Sequence, residues 1–380
     1  MTDHHAVPFE VVISDDDIAD LRDRLRRTRW PEAETVDDWS QGVPLAYVQE
    51  LCEWWADEYD MGLASRVNAF PQEKVELDGL GIHHLHVRSP EPDALPIVIT
   101  HGWPGSVVEL LDVLGPLSDP RAHGGDPADA FHVVAPSLPG YGWSDKPTRA
   151  GWGLERIASA WHQLMTGLGY DRYVAQGGDW GAGVTTVLGL QEPDGLAGIH
   201  LNMPLAFPDP DTMADLTPLE LEAIQDMGTH ASTGMGYSGI QSTRPQTLGY
   251  GLTDSPAGQL AWIVEKFWAW TDCDGHPEGA LTRQQMLDDV SAYWFTASAA
   301  SSARLYWESF DVLTKAEPIT VPTGITVFPK EIVRTSQRWA EKVFSDLRWF
   351  EVVDRGGHFA AFEQPELFVE QVRGSFRALR

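Results

Sequence analysis

The chain has 380 residues, 43% of them apolar and 22% charged, with a formal net charge of −29. A charge of that sign and size repels phosphate backbones and anionic lipid, which excludes nucleic acid and membrane surfaces as partners, and the acidity reads as a solvated surface. The two cysteines, Cys52 and Cys273, form neither a disulfide framework nor a zinc-ligand spacing, so a reducing compartment fits best.

Residues 1–90 differ in pattern from the rest of the chain. Met1 to Pro8 is polar and lacks an apolar signal core, and no later segment approaches a membrane-spanning run, so a soluble, cytoplasmic protein is expected. Ser14 is placed to cap a helix in which Ile18, Leu21 and Leu25 recur at helical spacing until Trp30-Pro31. A second helix is predicted from Leu45 to Tyr59, with Val48, Leu51, Trp54 and Trp55 as its core-facing stripe. Lys74 to Leu77, Asp78-Gly79 and Ile82 to Val87 read as a β-hairpin. This first unit carries no catalytic constellation and reads as a structural wrap.

From Leu95 short apolar runs alternate with helical stretches, the signature of a mostly parallel sheet in an α/β fold. The candidate strands are Ile97 to Thr100, Phe131 to Ala135, Tyr173 to Ala175, Gly198 to Asn202, Ile325 to Phe328 and Trp349 to Val353. An amphipathic helix, Glu366 to Phe376, closes the chain. Between Pro204 and Glu317 the strand rhythm stops and helical, aromatic-rich segments take over. That interval reads as a cap over the C-terminal edge of the sheet, where open α/β sheets bind ligands. The expected division is an arm (1–90), a core in two parts (91–204 and 317–380) and a helical cap (205–316).

The chemistry centres on Gln176-Gly177-Gly178-Asp179-Trp180-Gly181, between a strand and a helix predicted over Val184 to Leu190. A reactive side chain on a sharp strand-to-helix turn, with glycine two before and two after, is the layout of a nucleophile elbow. Gly177 and Gly181 remove Cβ atoms that would clash there. Asp179 occupies the place where serine is usual. A carboxylate is already ionised at neutral pH, so it can displace at a strained saturated carbon without a base and leave an ester.

His101-Gly102-Trp103-Pro104-Gly105-Ser106 follows a strand directly. In α/β hydrolases such a loop supplies one oxyanion-hole N–H and the residue after the nucleophile supplies the other, here Trp103 and Trp180. The base is expected downstream, after the acid. His358, behind Gly356-Gly357 and before the last helix, holds that position. Glu331, at the end of the preceding strand, is the expected orienting acid; Asp354 is the alternative, set too close on the same loop. Ester hydrolysis would use water activated by His358. The alkoxide leaving group needs a proton donor, for which a tyrosine hydroxyl is suited.

Taken together the residues resemble the microsomal-type epoxide hydrolases, the α/β-hydrolase branch with an additional N-terminal domain. Arg29-Trp30-Pro31, Trp39, Trp54-Trp55 and Asn68-Ala69-Phe70-Pro71 resemble that domain's landmarks. His101 to Ser106, Pro136 to Gly142, Gly177 to Gly181 and Gly356 to Pro365 resemble the core motifs, and Gly236 to Pro245 and Ser301 to Tyr306 the cap motifs. The resemblance implies an epoxide and water as substrates and allows a homodimer, and the sequence itself shows no metal, nucleotide or flavin site, so no cofactor and no metal are expected. It assigns the nucleophile to Asp179, the acid–base pair to Glu331 and His358, and the epoxide-gripping phenols to Tyr237 and Tyr306. Tyr250 and Tyr293 compete for that last role. The rival readings are a haloalkane dehalogenase, which would use Trp180 to hold a halide, and a non-catalytic ligand-binding relative.

Overall fold

The computed structural model describes residues 6–309 and 318–380. Nine strands of the described residues form one sheet: β1 (Val7–Pro8), β2 (Gln72–Leu77), β3 (Leu80–Val87), β4 (Leu95–Thr100), β5 (Phe131–Pro136), β6 (Tyr173–Gly177), β7 (Leu196–Leu201), β8 (Thr323–Val327) and β9 (Leu347–Val352). Their order is β1-β2-β3-β5-β4-β6-β7-β8-β9. The pairs from β1 to β5 are antiparallel, and all those from β5 to β9 are parallel. Chain order reverses direction across β4, whose neighbours are β5 and β6. Thr100 and Gly177, the last residues of β4 and β6, pair directly. The loop at His101 and the turn at Asp179 therefore leave the sheet side by side at a switch point, where such sheets form their crevice.

The central strands β4, β5, β6 and β8 are buried on both faces, as their unbroken apolar runs require: Ile97, Val98, Ile99, Val133, Val134, Val174 and Ile325 are almost wholly enclosed. Each such side chain contributes about 1.5–3 kcal/mol on burial. In the arm, helix Asp15–Arg26 starts at a capping box between Ser14 and Asp17 and buries Leu21 and Leu25. The β2–β3 turn at Asp78-Gly79 takes positive φ at both residues (+50° and +79°), which matches the twist of a tight hairpin.

Helix Leu45–Asp57 buries Val48, Leu51 and Trp55 and leaves Trp54 only half-buried. The arm does more than wrap the sheet. Trp55 Nε1 donates to Ser291 Oγ at 3.0 Å and Tyr59 Oη to Asp288 Oδ1 at 2.6 Å, while Trp39 stacks on Trp268. These partners all lie in the helical stretch between β7 and β8. That stretch contains helices Pro218–Thr229, Gly236–Thr243, Pro245–Asp254, Pro256–Trp270, Arg283–Phe295 and Ala299–Ser309. The expected boundary at 316/317 lies outside the described residues. No described helix is long and apolar enough to cross a membrane.

Candidate active site

The turn after β6 is built by missing side chains. A Cβ on Gly177 would collide with the backbone of Gly181, and one on Gly181 with the carbonyl of Thr100. Both glycines let the turn press against the end of β4. Asp179 itself sits at φ +50°, a left-handed conformation that a non-glycine residue adopts at a cost of about 1–3 kcal/mol. Helix Asp179–Gln191 begins at this residue, five residues earlier than the predicted start. The glycines at 181 and 183 weaken the helical signal there, and the tertiary contacts override it.

The Trp103 N–H donates to Asp179 Oδ1 at 2.7 Å. The second carboxylate oxygen, Oδ2, lies 3.4 Å from His358 Nε2. The Trp180 amide sits in the first turn of the helix, among the N–H groups that lack intrahelical partners. Gly102 leaves the space that the Asp179 side chain fills. His101 is buried; its Nδ1 faces the Gly102 carbonyl at 3.0 Å and its Nε2 accepts from Leu138 N at 3.1 Å. Burial pushes it down to about 4, so it stays neutral and pins the loop. The Trp103–Pro104 peptide is cis.

His358 meets Glu331 because the loops after β8 and β9 zip together, Lys330 N donating to Gly356 O at 3.2 Å. His358 Nδ1 is then 2.8 Å from Glu331 Oε1. The same oxygen accepts from Ile332 N at 2.7 Å. Burial pulls the His358 imidazolium down, but Glu331 and Asp179 on either side outweigh it and hold the group well above its ordinary range. Asp354, the alternative acid, is solvent-exposed and pairs with Arg355.

Tyr237 and Tyr306, from helices Gly236–Thr243 and Ala299–Ser309, come together above this carboxylate. Tyr237 stacks on Trp103 at 5.0 Å, Tyr306 meets Trp180 edge-on at 4.7 Å, and their own rings are 5.8 Å apart. Burial, with the Asp179 charge adding to it for Tyr237, raises both phenols, so they remain protonated donors. Of the competitors, Tyr250 is exposed. Tyr293 donates to Gly105 O at 2.8 Å from behind the loop.

Several residues near the site carry no motif of their own. The Trp270 carbonyl accepts from His358 N at 2.9 Å, and its indole packs edge-on against the imidazole. Lys266 Nζ lies 4.3 Å from the centre of the Tyr237 ring and pairs with Glu265. Glu109 reaches back over Gly105, where any side chain would collide with its carboxyl group. Burial, with Asp289 and Asp179 nearby, raises Glu109 well above the carboxylate range. Asp289 accepts from Ser106 Oγ at 2.7 Å and is pushed up to about 8, chiefly by burial. Glu109, Gln176, Asn202, Asp179 and His358 line a cavity of about 20 Å³. Spacing in the sequence could not have found these groups, because folding alone brings them to the loop.

The arrangement offers a carboxylate held by an amide, a buried acid–imidazole pair and two phenols. Residues 6–110 match the family model described as the epoxide hydrolase N terminus, and residues 96–228 that of the α/β hydrolase fold. The chain is 54% identical, over 98% of its own length and 85% of the other's, to a Stigmatella aurantiaca protein provisionally named an epoxide hydrolase. It is 32% identical to epoxide hydrolase 1 of Oryctolagus cuniculus, over 98% of this chain and 89% of that one. Among solved structures, that of Aspergillus niger epoxide hydrolase matches at a TM-score of 0.90 with 32% identity, covering 100% of this chain and 97% of the other.

Proposed function

Because the chain belongs to the epoxide hydrolases of the α/β-hydrolase fold, we propose that it opens its epoxide through a covalent ester at Asp179, beneath a helical cap formed by the segment between β7 and β8. The observation that carries this reading is the Asp179 carboxylate, held at one oxygen by the Trp103 N–H and facing His358 Nε2 with the other. An Asp179 oxygen attacks a ring carbon of the epoxide. The ring C–O bond breaks, its electron pair stays on oxygen, and that oxygen takes a proton from Tyr237 or Tyr306. Lys266, over the Tyr237 ring, stabilises the phenolate that results.

Esterification removes one of the two negative charges beside His358. The imidazolium then returns its proton to the tyrosinate and becomes a base. His358 next takes a proton from water, and the hydroxide adds to the ester carbonyl carbon. The N–H groups of Trp103 and Trp180 hold the oxyanion, an interaction in which one donor typically supplies about 2.7–4 kcal/mol. Collapse releases the diol, whose oxygen takes the carboxyl proton, and the carboxylate–imidazolium pair is restored. The attacking water occupies the small cavity lined by Glu109, Gln176, Asn202 and His358.

One observation favours a second reading. The Trp180 indole N–H is buried with no hydrogen-bond partner among the described residues, and such a donor would suit a departing halide. A halide needs no proton, however, and the paired phenols would then be idle.

The test is a single turnover of an aryl epoxide in ¹⁸O-labelled water, with His358→Gln run in parallel. The expected result is label in the Asp179 peptide and none in the diol, with an adduct of epoxide mass accumulating on Asp179 in the variant. Label in the diol from direct attack by water, or no adduct together with no diol, would reject the mechanism. Halide release from haloalkanes checks the second reading.

A further inference from the structure

The hairpin of β2 and β3 carries a second convergence of donor atoms that the epoxide chemistry does not use. Glu73 stands directly opposite His84 in the strand register, and His86, two residues on, projects from the same face. Glu73 Oε2 lies 3.5 Å from His84 Nε2 and 3.9 Å from His86 Nδ1. One ligand atom from each residue falls within 4.8 Å of the others.

Hydrogen bonding accounts for only part of this cluster. His84 is fully buried, yet its Nδ1 has no hydrogen-bond partner among the described residues and its Nε2 has only the long 3.5 Å contact with Glu73. An unpaired polar atom in the interior is costly, so native structures seldom leave one. His86 uses Nε2 to bond the Tyr170 hydroxyl at 2.8 Å, which turns Nδ1 toward Glu73. A metal-bound histidine is held in this way, its outer nitrogen fixed by a second partner. The spacing also suits a cation: ligands about 2.0–2.1 Å from zinc stand about 3.4 Å apart at tetrahedral angles. A cavity of about 890 Å³ runs along the hairpin, lined by Glu73, His86, Asn68 and Arg88, and gives an ion a route in.

We propose that Glu73, His84 and His86 bind one zinc-class divalent transition ion, with water as the fourth ligand. Two imidazoles and one carboxylate select this class over magnesium and calcium, which require all-oxygen shells. The ion would clip β2 to β3. It takes no part in turnover at Asp179.

The experiment uses full-length protein without an affinity tag, stripped by chelator and titrated with Zn²⁺ against a chromophoric competitor. Wild type is compared with Glu73→Gln, whose side chain is one-third exposed, and with His84→Phe, which keeps an aromatic ring in the buried space. The expected outcome is one tightly bound zinc per wild-type chain, an affinity at least about tenfold weaker in both variants, and a zinc-dependent rise in melting temperature only in wild type. Magnesium should produce no shift. No tight zinc in wild type, or equal binding in wild type and Glu73→Gln, overturns the proposal. Should His84→Phe fail to fold, the Glu73→Gln comparison decides alone.

Discussion

Replacing Glu331 by glutamine isolates one charge. The amide oxygen of Gln can still accept at 2.8 Å from His358 Nδ1 and at 2.7 Å from Ile332 N, so the ring keeps its orientation while the anion beside it is lost. With charge centres about 4 Å apart and an effective dielectric constant near 20, the pair interacts by about 4 kcal/mol. On the proposed mechanism the imidazolium forms in the hydrolytic step, when Asp179 is an uncharged ester and Glu331 is the remaining carboxylate against the ring. That step should therefore slow by roughly 10³-fold, at 1.36 kcal/mol per decade. Alkylation, in which Asp179 attacks as a carboxylate, should change only a few-fold. Stopped-flow tryptophan fluorescence resolves the two phases, since Trp103 and Trp180 flank the carboxylate, and acid-quench mass spectrometry counts the ester. Removing the anion also disfavours the imidazolium, so the acidic limb of the hydrolytic pH profile should move to lower pH. Equal slowing of both phases, or a hydrolysis rate that hardly moves, would refute the reasoning.

Tyr237→Phe and Tyr306→Phe should each slow alkylation while leaving decay of a preformed ester unchanged, and the double variant should lose the roughly 10²–10⁴-fold expected of a general acid; rapid-quench ester formation measures this, and a slower ester decay instead would move the phenols out of the first step. Asp289 offers a stability test. Its folded value of about 8 stands above the ordinary 3.8, so below 3.8 both states hold the proton and nothing is lost. Between those values the unfolded chain ionises first and stability falls as pH rises, by on the order of 4 kcal/mol at pH 7. Asp289→Asn keeps an acceptor for Ser106 and removes this penalty, so its gain in melting temperature should be absent near pH 4 and grow toward pH 8. A gain independent of pH would contradict the assignment.

The parallel core is legible because its strands are short, apolar and evenly interrupted, and the turn at Asp179 because steric demands at Gly177 and Gly181 leave glycine as the residue that fits. Glu331 and Asp354 can be ranked by position, and the structure brings Glu331 to His358 while Asp354 points into solvent. Helix boundaries are less readable: the one at Asp179 begins among glycines, whose weak propensity hides it. Glu109, Lys266, Trp270 and Asp289 are invisible for a different reason. Each is an ordinary letter within an amphipathic segment, and its relation to the site exists only after β4, β6 and the helical insertion have packed together. The arm exceeds the structural wrap that its periodicity suggests, since Trp55 and Tyr59 tether the helix that carries Asp288 and Asp289.

The cavity beside Asp179 has about 20 Å³, and a single water needs about 10–15 Å³ of such space. On the proposed mechanism the acyl carbon faces a space of this size, which favours water over an alcohol, thiol or amine as the second nucleophile. The same fold with a roomier cavity could pass the opened substrate to other acceptors and act as a transferase. On the proposed mechanism, the Glu109 side chain folded over Gly105 lines this space and narrows it on the side from which the second nucleophile would come.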